Sequence, residues 1–228
     1  TAIMGELGDV SQQAKNLATI NVRDCRTCTS CGNKSTVPRS EQFLIWPVRK
    51  TLTNMAEAYA EPELTDGDNK TNCTRCGIKR ATIHNTEITS SPEILVVVIN
   101  RQKAVDGRQT RDNQSIEDIR ELKLKVRGEG NEETTTTTYR TEAIIHHTGN
   151  QRVGHQESGH YTAFVTKHKA WFWCNDALIS RAESSQLGAG SAYIIVCRKE
   201  QPTLGFPDPP ADNTDAGAES PDVAGDSK

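Results

Sequence analysis

Apolar and polar positions along this chain alternate in short runs that favour strands over helices. Ile94-Leu95-Val96-Val97-Val98-Ile99 is an unbroken, mostly β-branched run of strand length, which predicts a strand buried on both faces. Leu122-Lys123-Leu124-Lys125-Val126 alternates with period two and predicts a strand with one face in water. Tyr139 to His147, His160 to Thr166, Trp171 to Cys174 and Tyr193 to Cys197 complete this set, and the threonines at 134–138 have the propensity to extend the strand at Tyr139. Ala18 to Val22 predicts a strand leading into a cysteine cluster, and Phe43 to Trp46, stopped by Pro47, predicts an edge strand. Leu52, Met55, Ala56 and Tyr59 recur at helical spacing and predict one short helix within 51–63. The fold class is therefore α+β, dominated by strands. Trp46, Trp171 and Trp173 are expected to pack in or at the edge of its core.

Composition narrows the class. The 228 residues are enough for a sizeable core, and a net charge of −3 with no basic–aromatic stripe argues against a nucleic-acid surface. The longest apolar run, Ile94 to Ile99, is far too short to span a bilayer. Residues 201–228 hold five of the nine prolines and six acids against one lysine, and this stretch is expected to be a disordered acidic tail. Residues 1–17 are weakly patterned and read as a loose leader, which leaves 18–200 as the folded part.

Seven cysteines, an odd number with five in Cys-x-x-Cys spacings, suit metal binding in a reducing, intracellular compartment better than a disulfide framework. Cys28-Thr29-Ser30-Cys31-Gly32 and Cys73-Thr74-Arg75-Cys76-Gly77 are near copies. In each, a two-residue spacer lets both thiolates of a tight turn face one point, and the glycine frees the backbone. Cys28, Cys31, Cys73 and Cys76 thus form a candidate closed, structural zinc ribbon. Cys25 repeats the spacing without the glycine and is left out of the set.

A second cluster of chemistry lies downstream. His147-Thr148-Gly149 is followed by Gly159-His160-Tyr161 and then by Trp171 to Asp176. If the strand at His160 turns back through 171–176, Asn175 lies beside His160. Its side-chain oxygen can then accept from Nδ1–H, leaving the other ring nitrogen to take a proton from a thiol. Gly159 is expected to keep the approach to His160 open. His146, His155 and His168 have no partner spacing and are read as exposed or loop histidines.

In order along the chain, the two cysteine pairs, Pro92 to Asn100-Arg101, Tyr139 to Gly149, Gly159-His160-Tyr161, Trp171 to Asp176 and Ala192 to Ile195 resemble the C-terminal part of the ubiquitin-specific protease catalytic domain, a papain-like deubiquitinase. The resemblance implies a fingers subdomain holding the zinc ribbon and an antiparallel palm sheet. It implies His160 as the catalytic histidine, Asn175 as its orienter and Asp176 as an acidic helper at the oxyanion site. It further implies His147, Gly159 and Tyr161 along the substrate tail, with ubiquitin and ubiquitinated proteins as partners and a cytoplasmic or nuclear setting. Cys174, Gln102 and Thr141 stand where the family favours Phe, Phe and Leu.

The family's nucleophile sits in a Gly-Asn-Thr-Cys box opening a thumb helix, and no cysteine here has that setting. Cys25 lies in the metal cluster, Cys174 is expected to point away from Asn175 along the strand, and Cys197 belongs to a terminal apolar strand. The expectation is therefore a fingers-and-palm portion of a deubiquitinase, inactive alone, with its thumb elsewhere. The alternative is a catalytically dead ubiquitin-binding module.

Overall fold

The computed structural model describes residues 12–128, 133–149 and 159–201. The expected acidic tail, apart from Gln201, the first eleven residues and His155 lie outside them. Helix α1 (Gln12–Ala18) leads into strand β1 (Ile20–Cys28), which turns at the first cysteine pair into β2 (Lys34–Glu41). Next come β3 (Leu44–Pro47), helix α2 (Leu52–Ala60), β4 (Glu63–Thr65), β5 (Thr71–Asn72), β6 (Lys79–Arg80) and β7 (Thr82–Ile88). The rest is strand: β8 (Ile94–Asn100), β9 (Gln102–Val105), β10 (Arg108–Arg111), β11 (Glu121–Arg127), β12 (Thr134–Gly149), β13 (Gly159–Lys167), β14 (Ala170–Asn175), β15 (Leu178–Ala182) and β16 (Ala192–Lys199).

Two sheets organise these elements. A four-stranded sheet has the order β2-β1-β7-β4, with the cysteine turns at one end. An eight-stranded sheet runs β15-β14-β13-β12-β16-β8-β3, with β11 also on β12. Its ladders are antiparallel except at one edge, where β3 pairs with β8 in parallel. That departs from the purely antiparallel sheet expected. The chain between β3 and β8 carries α2 and strands β4 to β7, and such a long crossover permits a parallel return. The hairpin of β9 and β10 stands apart from both sheets.

Local chemistry explains the boundaries. Thr51 caps α2, its side chain accepting from the Asn54 N–H at 3.1 Å. The helix stops at Ala60, short of the 63 expected, because Glu61 precedes Pro62 and is driven to extended backbone. Leu52, Met55 and Ala56 are buried on one face, against β3 and β11. The alternation in β11 holds, with Leu122, Leu124 and Val126 inside and Lys123 and Lys125 in water. Trp46 is fully buried, whereas Trp171 and Trp173 lie half-buried at the core's margin. The threonines at 134–138 do extend β12.

The β13–β14 hairpin carries His160 and Asn175. His168 and Lys169 form its two-residue turn with φ of 51° and 64°. Both are left-handed, the conformation of a type I′ turn, whose twist matches the flanking strands. Ala163 is thereby set opposite Cys174 and Phe164 opposite Trp173.

Candidate active site and cysteine cluster

The two cysteine turns are structural copies. The Gly32 N–H donates to the Cys28 carbonyl and the Gly77 N–H to the Cys73 carbonyl, each at 2.9 Å. Both glycines are left-handed, with φ of 67° and 71°, which explains the residue type at these points. The turns bring the four sulfurs of Cys28, Cys31, Cys73 and Cys76 within 4.8 Å of one another, with Cys31 Sγ 3.6 Å from Cys73 Sγ. A tetrahedral zinc–thiolate centre with bonds of about 2.3 Å separates its sulfurs by about 3.8 Å. The donor set therefore fits such an ion. Backbone N–H groups of Cys31 and Ser30 aimed at the Cys28 sulfur pull its pKa down to about 6, and Cys73 is lowered in the same way by the Cys76 N–H. Cys25 stands outside the cluster. Strand alternation turns it to the opposite face of β1 from Cys28, where its thiol meets the Arg23 carbonyl at 3.8 Å.

At the end of the large sheet, His160 Nε2 lies 2.5 Å from Asn175 Oδ1. Continuing the β13–β14 register by one residue sets Asn175 opposite Thr162, so His160 is its diagonal neighbour on the same face. An amide oxygen only accepts, so Nε2 carries the proton and Nδ1 presents a lone pair. The ring nitrogen facing Asn175 is therefore Nε2, where the sequence led us to expect Nδ1. Asp176 follows in the turn to β15 with φ of 50°, exposed, its carboxylate unpaired among the described residues.

His147, Gly159 and Tyr161 come together on the alternate face of the same strands. His147 is opposite Tyr161, and their rings stack with centroids 4.4 Å apart. A Cβ on Gly159 would lie 2.0 Å from His147 Nε2. Gly159 therefore makes room for the His147 ring; the expected role, clearing the approach to His160, is corrected. With Tyr193, Ile45, Val98 and Arg111, His147 and Tyr161 line a groove of about 380 Å³. Arg111 donates to the His147 carbonyl at 2.8 Å.

Sequence reasoning missed His146. It is only 4% exposed, not a surface histidine, with Nδ1 2.8 Å from Ser191 Oγ and Nε2 3.1 Å from the Leu187 carbonyl. Two adjacent histidines in one strand must face opposite ways, and that signal was available in the doublet. The remaining thiols are remote from the ring pair's chemistry. Cys174 is opposite Ala163, on the other face from Asn175, and burial pushes the Cys197 thiol up to about 12.

Ubiquitin carboxyl-terminal hydrolase 2 of Bos taurus is 29% identical over 178 residues, covering 74% of this chain and 28% of that protein. Ubiquitin carboxyl-terminal hydrolase 21 of Homo sapiens is 22% identical over 182 residues, covering 76% of this chain and 31% of the relative. The chain thus spans less than a third of the length of these two relatives. A solved structure of the SAGA Ubp8/Sgf11/Sus1/Sgf73 DUB module bound to ubiquitin aldehyde shares the fold, with a TM-score of 0.71 at 18% identity over 88% of this chain and 48% of that one. The family model described as ubiquitin carboxyl-terminal hydrolase matches residues 7–196, most of the chain, and the protein belongs to that family.

Proposed function

We propose that this chain supplies the histidine–asparagine half of a cysteine-type deubiquitinase that cleaves after the C-terminal glycine of ubiquitin. The observation that carries the reading is the 2.5 Å contact of His160 Nε2 with Asn175 Oδ1. With the amide oxygen accepting, Nε2 donates and Nδ1 serves as the base in this reading.

In this mechanism Nδ1 of His160 takes the thiol proton while sulfur attacks the glycine carbonyl. The tetrahedral oxyanion collapses as the same proton passes to the leaving amine, and a thioester remains. Water then attacks, with His160 again as base, releasing the ubiquitin carboxylate and restoring the thiol. Asn175 orients the ring through both steps, and Asp176 is the acidic helper that the family resemblance assigns to the oxyanion site. His147 and Tyr161 wall the groove for the extended tail of ubiquitin, and Gly159 leaves the space that the His147 ring occupies. A structural zinc on Cys28, Cys31, Cys73 and Cys76 holds the finger strands together and takes no part in the steps.

We place the nucleophile outside the described residues. Each described cysteine is already accounted for: four in the cluster, Cys25 in the finger sheet, Cys174 on the wrong face, and Cys197 buried. In this reading 18–200 are fingers and palm. The seven free cysteines suit a reducing cytoplasmic or nuclear setting, and no helix among the described residues is long and apolar enough to cross a membrane.

The test is hydrolysis of a fluorogenic ubiquitin C-terminal amide. The chain alone should be inactive and the protein joined to its thumb active, with His160→Ala abolishing turnover. Activity that survives His160→Ala sinks the mechanism. Tight ubiquitin binding without turnover in the joined protein favours the inactive binding module.

A further inference from the structure

We infer that His146 is a positioning residue: its neutral imidazole clamps the 187–191 segment to β12, and that clamp fixes the backbone of His147 in the groove wall. This rests on the proposed role of His147 beside the ubiquitin tail.

The imidazole makes two bonds to one short segment. The Leu187 carbonyl only accepts, so Nε2 donates to it at 3.1 Å, and Nδ1 accepts from the Ser191 hydroxyl at 2.8 Å. The Phe164 ring closes the site edge-on, with centroids 4.8 Å apart. What the segment holds is the next residue along β12. The Ser191 carbonyl accepts the His147 N–H at 2.8 Å, while Arg111 donates to the His147 carbonyl at 2.8 Å.

These two supports belong to one assembly. The segment is packed backbone to backbone on the stretch that follows Arg111. The Ile116 N–H donates to the Gly188 carbonyl at 2.7 Å, and Cβ atoms at Gly188 and Gly190 would fall 1.9 and 2.2 Å from the carbonyl oxygens of Ile116 and Asn113. Arg101 ties both stretches, donating to the Ala192, Asp112 and Gln114 carbonyls. Both backbone groups of His147 thus depend on the assembly that His146 holds against the sheet.

A proton at Nδ1 works against this clamp, because the ring is buried in an apolar setting. Burial holds the His146 pKa below its ordinary value, and the Arg101 charge adds to that against the favourable Leu187 carbonyl. Of the charged groups on the packed elements, Arg101 acts on the ring, Arg111 engages the His147 carbonyl, and Glu183 caps the turn at 184–186. The clamp is therefore fully present above the unperturbed imidazole value, about 6.5, and is lost as pH falls through the lowered one.

Amide hydrogen exchange on the free chain tests this without any ubiquitin or turnover, so the proposed function can fail separately. At pH 7.5 His146→Phe should speed exchange at His147 and Ile116 by about tenfold or more, the cost of two lost buried hydrogen bonds, while amides within β8 stay protected. His146→Gln keeps one donor and one acceptor, and should restore protection and remove its acid sensitivity. Unchanged protection in a folded His146→Phe chain overturns the inference. If that variant does not fold, acid titration of the native chain decides. Loss at His147 and Ile116 before β8 supports the clamp, and simultaneous loss overturns it.

Discussion

Asn175 Oδ1 meets Nε2 of His160, not Nδ1, and this one contact orients the whole candidate site. With Nε2 donating to that oxygen, the lone pair sits on Nδ1, which in the proposed mechanism is the nitrogen that takes the thiol proton.

Kinetics of the thumb-joined protein should follow that geometry. His160→Ala removes the base and should cost about a thousandfold or more in kcat. Asn175→Ala should cost about ten- to a hundredfold, since packing and water partly replace an orienter. Asn175→Asp keeps the acceptor and should retain more activity than Asn175→Ala. An Asp variant no better than the Ala variant contradicts the orienting role.

The cysteine cluster should hold one zinc per chain. Elemental analysis of protein purified without chelator should show it, and Cys73→Ser should lose it. Cys25→Ser should keep it, because Cys25 faces the other side of β1. Metal loss in Cys25→Ser with retention in Cys28→Ser would reverse the ligand assignment.

Gly159→Ala should displace the His147 ring, since its new Cβ would lie 2.0 Å from Nε2. Ring-current shifts at His147 and Tyr161 should collapse, whereas the His160 tautomer should persist because that pair lies on the other face. Unaltered shifts at His147 would mean the strand end relaxes around the methyl group.

Glu87 should govern acid stability. Its carboxylate is mostly buried and accepts from Arg23 on β1 and Arg127 on β11, each at 2.5 Å, tying the four-stranded sheet to the large one. Burial pushes its pKa up, but the bonds and charges of the two arginines outweigh this and hold it below the usual carboxylate range. The resulting stability is present above about pH 4.3, the unperturbed value, and is lost as pH falls through the lowered pKa. Glu87→Gln should cost about 1–3 kcal/mol at neutral pH and flatten the acid limb of the melting curve. A limb of unchanged slope would assign acid unfolding to other carboxylates.

Local chemistry determined much of this protein in advance. The glycine-terminated cysteine turns, the buried run of β8, the alternation of β11 and the pairing of His160 with Asn175 were legible because each depends on neighbours in sequence or on one tight hairpin. The faintly patterned strands β2, β7 and β15 were not, because long-range partners stabilise them: β2 and β7 pair with β1, and β15 completes a sheet edge. Nor could the sequence say which of His146 and His147 is buried. Alternation requires opposite faces, but only the packing of the 187–191 segment chooses between them. The nitrogen that meets Asn175 was likewise decided by the diagonal offset of two strands, and the role of Gly159 by a ring twelve residues earlier in the chain. Periodicity fixes which side chains share a face. What lies opposite that face, and at what distance, is set by tertiary packing alone.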